Sequence, residues 1–314
     1  VLSRGENVGA RDVDIDPSNP NTIYASLWET RQGPWENAAW NGTTNGLFKS
    51  VDGGATWKQL AGGLPATFQH AELSIAPSDS KRLYAPIAGG GGGAGAFYRS
   101  DDAGETWTKP TTDNRAGNQR ISESNIIVFP KNPDHIIVTD IVSFKSTDGG
   151  KTWVPFKGAP GGEDYQNAWI NPDNPDIIIT IVDQGAVVTL NGGATWSSWF
   201  NQPTAQLYHV AADANFPYRL CSGQQESGSA CVSSRGNYGQ LTIRDWLPVG
   251  VDEYGYAAPD LLNPHFVYGG RSVTRFDYRT GQTANVSPTG RGGGSGPGAL
   301  TFRQVRTQPV VFSE

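Results

Sequence analysis

Three loop carboxylates, Asp164, Asp183 and Glu253, are the residues best suited to acid–base chemistry. Two such groups held roughly 5–9 Å apart can cleave a glycosidic bond. One protonates the leaving oxygen, and the other activates water or attacks the sugar. Asp164 and Glu253 are expected to face each other across a funnel. A solvated acidic mouth is the alternative reading. A second set suits ligand binding. The stretch from Trp28 to Asn41 holds Trp28, Trp35, Trp40 and Glu36 in one long segment, and long segments in compact folds often carry function. Indole faces can stack on sugar rings, with Glu36 reaching hydroxyls; cover for a sheet edge or a partner surface is the other use of such rings. Arg120, Tyr165, Gln224, Gln225 and Tyr254 complete the candidate contacts, with His70, Glu72, Asp140, Glu163 and Asp252 in similar places.

These residues are spread over most of the chain, so only a fold that gathers many loop tips could assemble them. The repeats supply one. Ser50-Val51-Asp52-Gly53-Gly54-Ala55-Thr56-Trp57 returns as the octets ending at Trp107 and Trp153, and in a worn copy, Thr189 to Trp196, with Asn191 in the Asp place. Asp–Gly and Gly–Gly steps suit the positive φ of tight hairpin turns, and the Asp side chain can accept bonds from the turn's own N–H groups. Asp52, Asp102, Asp148 and Asn191 are therefore expected to be structural, together with Trp57, Trp107, Trp153 and Trp196. Upstream of each box runs an apolar strand, a Pro/Asn turn and a β-branched strand, as in Ile15-Asp16-Pro17-Ser18-Asn19-Pro20-Asn21-Thr22-Ile23. Each unit thus reads as four strands, A to D, with the box between C and D. Four-stranded units of this length predict a β-propeller. Six complete blades are counted. A seventh is expected to be shared between the termini of one domain spanning 1–314. The absence of an initial Met and the strand-like Gln308–Phe312 segment suggest an excerpt of a longer chain.

Composition agrees. Gly (40) and Pro (21) are abundant and charged residues make up only 17%, which disfavours helical bundles and disorder. The net charge of −6 argues against a nucleic-acid partner, whose binders need a basic face. No apolar run is long enough to span a membrane. With four His residues and no ligand-spaced cluster, neither a metal nor another cofactor is expected. Gly89–Gly95 lacks the Lys-Ser/Thr of a phosphate loop and reads as a linker. Cys221 and Cys231 flank a turn-forming stretch; in a hairpin they would lie opposite and could bridge, and two half-buried thiols are the alternative. A bridge would imply an oxidising, secreted, periplasmic or cell-surface location.

The boxes resemble the Asp-box (BNR) repeats of sialidases, sortilin-type receptors and xyloglucan-cleaving hydrolases. Asn201–Val210, Gly223-Gln224-Gln225, Arg244-Asp245-Trp246 and Val273–Gln282 are most similar to large secreted bacterial proteins described as sortilin-like or glycosyl-hydrolase-like. The resemblance implies a propeller whose boxes lie on one rim, with the B–C and D–A connections on the functional face. It does not imply an activity. The Arg-Ile-Pro element of sialidases is missing, and the acidic motif of the xyloglucan-cleaving enzymes has no clear copy. The favoured reading is a module that binds a protein or glycan partner. The alternative is a glycoside hydrolase or lyase using the funnel carboxylates.

Overall fold

The computed structural model describes residues 2–31, 42–90, 94–117, 124–158, 164–198, 205–225, 227–253, 255–270, 273–287 and 309–312. Strands account for nearly all regular structure, and every pairing between them is antiparallel. The chain divides into two compact units, Val1–Gln202 and Pro203–Glu314.

The first unit holds four sheets. The first comprises β1 (Val8–Ile15), β2 (Ile23–Glu29), β3 (Gly46–Ser50) and β4 (Lys58–Gln59). The second comprises β5 (Ser74–Ala76), β6 (Asp79–Ile87) and β7 (Ala96–Ser100). The third comprises β8 (Ile126–Val128), β9 (Ile136–Val138), β10 (Ser143–Ser146) and β11 (Val154–Lys157). The fourth comprises β12 (Tyr165–Ile170), β13 (Ile178–Val182) and β14 (Gly185–Thr189). The expected fourth strands of the second and fourth sheets shrink to a single Arg99–Thr108 bridge and to a bond from Ser197 N–H to Val188 O. The second unit holds β15 (Ala211–Ala212), β16 (Arg219–Gln224), β17 (Gly228–Ser233) and β18 (Trp246–Pro248) in one sheet. Its other sheet is β19 (Ala257–Pro259), β20 (Phe266–Gly269), β21 (Thr274–Asp277) and β22 (Gln282–Asn285).

Within the first unit the leading strands β1, β5, β8 and β12 neighbour one another in order, so the sheets stack as propeller blades. The second strands β2 and β9 are buried on both faces, which explains their continuous apolar runs, whereas the outer strands β4 and β22 are exposed and polar. Cores form between sheets. Tyr24, Leu47 and Leu60 of the first meet Leu83, Ile87 and Trp107 of the second; Tyr84 and Phe97 of the second meet Ile136, Phe144 and Trp153 of the third. In the second unit Cys221 and Cys231 face each other across β16 and β17 in a disulfide, Cα atoms 4.0 Å apart, inside a core with Val249, Val267 and Phe276.

Both repeated sequence elements lie at the same end of each of the four blades of the first unit. The N–H groups of Gly53, Gly149 and Gly192 donate to the carbonyls of Asn21, Asp134 and Asp176 in the A–B turns, and Ala103 N–H to Lys81, each at 2.9 Å. In the first box Asp52 accepts from Ser50 Oγ (2.7 Å), Thr56 N–H (2.8 Å) and Thr56 Oγ1, while Trp57 Nε1 donates to Gly54 O (3.0 Å). The second and third boxes repeat this pattern around Asp102 and Asp148. These bonds hold the three carboxyls near pKa 2, below the usual carboxylate range. In the fourth box Asn191 Oδ1 accepts from Thr195 N–H while its Nδ2 donates to Thr195 Oγ1, both at 2.9 Å.

Candidate functional site

With boxes and A–B turns at one end of each blade, the B–C and D–A connections lie at the other. In the first unit this end carries a cleft of about 580 Å³ between the start of β1 and the end of β2. Glu6, Asn7, Arg11, Trp28, Thr30 and Arg31 supply its polar and aromatic lining.

Arg11 reaches the cleft because β1 is irregular. The pairing register with β2 shifts between Ala10 and Asp12, leaving Arg11 as an extra residue in the ladder. Bulges of this kind re-aim a side chain. The Arg11 guanidinium then lies 5.9 Å from the Trp28 ring centre, donates through Nη2 to Ser124 O at 3.2 Å, and places Nε 2.6 Å from Glu72 Oε1. In that last contact the N–H direction falls outside hydrogen-bond geometry. Trp28 packs on its other neighbour, His70, with ring centres 5.0 Å apart. His70 is 2% exposed and its Nδ1 has no hydrogen-bond partner among the described residues. Burial, aided by Arg11, lowers its pKa to about 4, so it is neutral at pH 7.

Beneath this layer β1 is tied to β5 by carboxylates. Asp12 and Asp14, two apart on the strand and so on one side of it, accept from Leu73 N–H (2.9 Å) and Ile75 N–H (3.0 Å). Burial, with Asp12 adding repulsion, raises Asp14 to about 7. Burial likewise raises Glu72 to about 9 against the opposing pull of Arg11, and it raises Asp12.

The expected ligand residues fall unevenly. Trp28 is 8% exposed, so it forms a wall of the cleft and not an open platform. Tyr165, expected at the mouth, is fully buried because the first residue of β12 turns inward; burial lifts its hydroxyl to about 12. Trp35, Trp40, Glu36, Arg120 and Tyr254 lie outside the described residues, as do Glu163 and Glu226. Glu29 is engaged structurally: its carboxylate accepts from Thr43 N–H, Thr44 N–H and the Thr44 hydroxyl at 2.7–3.0 Å. Asp164 adopts φ 55° immediately before β12. Asp183, exposed after β13, accepts a bond from Gln166 Nε2. Glu253 belongs to the second unit.

The mouth of the second unit gathers Gln224 and Gln225 at the end of β16 beside Tyr208, whose hydroxyl bonds Gln225 Oε1. Nearby, His209 stacks on Tyr256 at 4.3 Å and 15°. Arg11, His209 and Tyr256 were not singled out by sequence reasoning. For Arg11 the available signal is the run Arg11-Asp12-Val13-Asp14, three charges on an inner strand. The Cys221–Cys231 disulfide is the bridge that a hairpin would allow, and no group of three or more metal-capable side chains occurs among the described residues.

Residues 98–109 match the BNR/Asp-box repeat. A xyloglucanase of Paenibacillus sp. is 25% identical over 66% of this chain and 18% of its own length. A xyloglucanase of Acetivibrio thermocellus is 28% identical over 64% and 26%, and one of Hypocrea jecorina 24% over 65% and 22%. The chain therefore spans about a quarter or less of these relatives. Among solved structures, a GH74 enzyme of Niastella koreensis aligns at TM-score 0.48 and 15% identity, covering 90% of this chain and 59% of that one. YCF48 of Cyanidioschyzon merolae aligns at TM-score 0.42 and 13% identity, covering 88% and 84%.

Proposed function

We propose that this chain is the glycan-engaging propeller region of an exported carbohydrate-active protein, with a xyloglucan-type β-glucan as its ligand class. The observation that carries the reading is the match, over about two thirds of the chain, to proteins named xyloglucanases. The buried disulfide supports an oxidising compartment. A glycan lying along the mouth ends of the blades would meet donors from Arg11, Asn7 and Thr30 and the acceptor Glu6.

Cleavage adds water across the glycosidic bond: an acid delivers a proton to the leaving oxygen, and a second carboxylate either takes a proton from the attacking water or first bonds the sugar carbon. Asp164, Asp183 and Glu253 are the candidate carboxylates. Among the described residues the first-unit cleft is lined by a single carboxylate, Glu6, and this supports a second reading, in which the chain binds glycan or a protein partner without cutting.

The test incubates the 314-residue chain with xyloglucan, measuring reducing ends and retention in affinity gels. Release of reducing ends, lost in Asp164→Asn or Glu253→Gln, supports the enzyme. Retention without release supports the binding module. Neither retention nor release overturns both.

A further inference from the structure

An Asn–Gly step is where a peptide chain most readily modifies itself, because glycine offers no Cβ to hinder attack by its nitrogen on the asparagine side chain. The chain holds three such steps, at Asn41, Asn45 and Asn191. Asn41 lies outside the described residues. Asn45 is 8% exposed, and its amide donates to Gly42 O, Phe68 O and Gln69 O and accepts Glu29 N–H, so it is locked away from water. Asn191 differs: it is exposed, in the turn of the fourth Asp box.

Four hydrogen bonds hold the reacting groups there. Asn191 Oδ1 accepts from Thr189 Oγ1 and Thr195 N–H, its Nδ2 donates to Thr195 Oγ1, and Gly192 N–H donates to Asp176 O, each at 2.9 Å. The attacking atom is therefore the nitrogen that ties the box to the A–B turn of its own blade. This box is also held more weakly than its counterparts. Its acceptor is a neutral amide, and Trp196 is half-buried where Trp107 and Trp153 are each 4% exposed. Beyond the box, Ser197 joins β14 by donating its N–H to Val188 O at 2.8 Å and accepting Val188 N–H on its hydroxyl at 3.0 Å. The matching steps Asp52–Gly53 and Asp148–Gly149 carry carboxylates that are ionised at pH 7, and an ionised oxygen is a poor leaving group. The second box has Ala103 after Asp102.

We propose that Asn191 is a spontaneous modification site, which the fourth box shields while closed and which converts to aspartate and isoaspartate when the box opens. The inference stands apart from the glycan reading. Gly192 N gives up its proton to solvent and bonds Cγ; the Cγ–Nδ2 bond breaks, and Nδ2 takes a proton back from solvent and leaves as ammonia. Water then opens the five-membered imide. Cleavage at Cγ restores the original main chain with a carboxylate at position 191, which can close the box as Asp52 does. Cleavage at the main-chain carbonyl carbon sends the chain through Cβ and Cγ as isoaspartate. That product adds a carbon to a turn already fixed by Gly192 and Gly193 at φ 67° and 97°, and it breaks the pattern of bonds to Thr195.

The test incubates the full chain at mildly alkaline pH, folded and in unfolding urea, and follows the segment Thr189–Trp196 by peptide mass spectrometry. A gain of one mass unit reports conversion, and electron-transfer fragmentation separates the two products. Conversion should be at least about tenfold faster in the unfolded chain. Thr195→Val removes the hydroxyl that Nδ2 bonds, and Ser197→Ala removes the hydroxyl that Val188 bonds outside the box. Each should speed conversion in the folded chain several-fold, with melting curves establishing that both variants are folded. Asn191→Gln would have to close a six-membered ring and should show no gain at this position. Equal rates in folded and unfolded chains overturn the shielding, as do unchanged rates in both hydroxyl variants. No conversion in the unfolded chain overturns the site itself.

Discussion

The indole of Trp153 meets the ring of Phe97 edge-on, with centres 4.9 Å apart and planes at 76°. Trp153 closes the third Asp box; Phe97 lies on β7 of the preceding blade. The relation recurs. Trp107 of the second box enters the core formed with Tyr24 and Leu60 of the first blade, and Trp196 of the fourth meets Phe156 of the third at 5.4 Å. The second, third and fourth boxes therefore each fasten their blade backward onto its predecessor. Gly150 makes the approach possible: at φ 85° it occupies the left-handed region, and a Cβ there would lie 2.4 Å from the Phe97 ring.

Trp153→Ala should cost about 3–5 kcal/mol, the usual loss for emptying a packed aromatic site. Trp57, half-buried, should cost clearly less. Urea unfolding of the two variants checks this; equal losses would remove the backward-fastening account.

Asn191→Asp should stabilise the protein by about 0.5–1.5 kcal/mol at pH 7, because a carboxylate accepts more strongly than an amide from Thr195. In the intact boxes the folded carboxyl sits near 2, below its unfolded value of about 3.9. Such stability is present above the unfolded value and lost as pH falls through the folded one. The gain in melting temperature should thus be full at pH 7 and vanish near pH 2. A gain independent of pH would exclude this cause.

Asp14→Asn should flatten the pH dependence of stability. The folded carboxyl is raised to about 7, so its contribution is fully present below the unfolded value of about 3.9 and lost as pH rises through 7. Asn keeps an oxygen for Ile75 N–H and discards the charge. Wild-type melting temperature should fall between pH 5 and 8, and the variant's should fall less; parallel curves would show that Asp14 is not the titrating group. Glu72 acts in the same direction, and neutral His70 acts oppositely below pH 6.5.

Replacing Cys221 and Cys231 with Ala should cost about 2–4 kcal/mol, from the lost crosslink and the emptied core. Both residues are almost wholly inaccessible, at 1% and 0% exposure. Alkylation after mild reductant should therefore require denaturant, and mass spectrometry reads it directly. Ready alkylation of the folded chain would contradict their burial.

The parts of the molecule readable from sequence are those whose bonds close within a few residues. The Asp box is a complete hydrogen-bonded turn in eight positions, so its pattern recurs in four copies, the last with Asn191 in the Asp place, and announces the hairpin. The A–B turns, with Asn and Asp accepting from N–H groups two residues on, are equally local. The Cys221–Cys231 pair follows from the hairpin that places them opposite. Alternation and turn residues thus determined the strands, their order and their antiparallel pairing.

Tertiary structure alone decided what the mouth can do. Arg11 enters the cleft through a one-residue register shift that no residue type marks, and its orientation depends on Glu72 and Ser124 from two other blades. Trp28 and Tyr165 look like surface aromatics in sequence, yet both are buried in the fold. Burial comes from what packs against a residue across the fold, and the same burial sets the protonation of Asp14, Glu72 and His70. Local bonding is encoded where it occurs, whereas solvent exclusion and long-range pairing exist only once the blades have met.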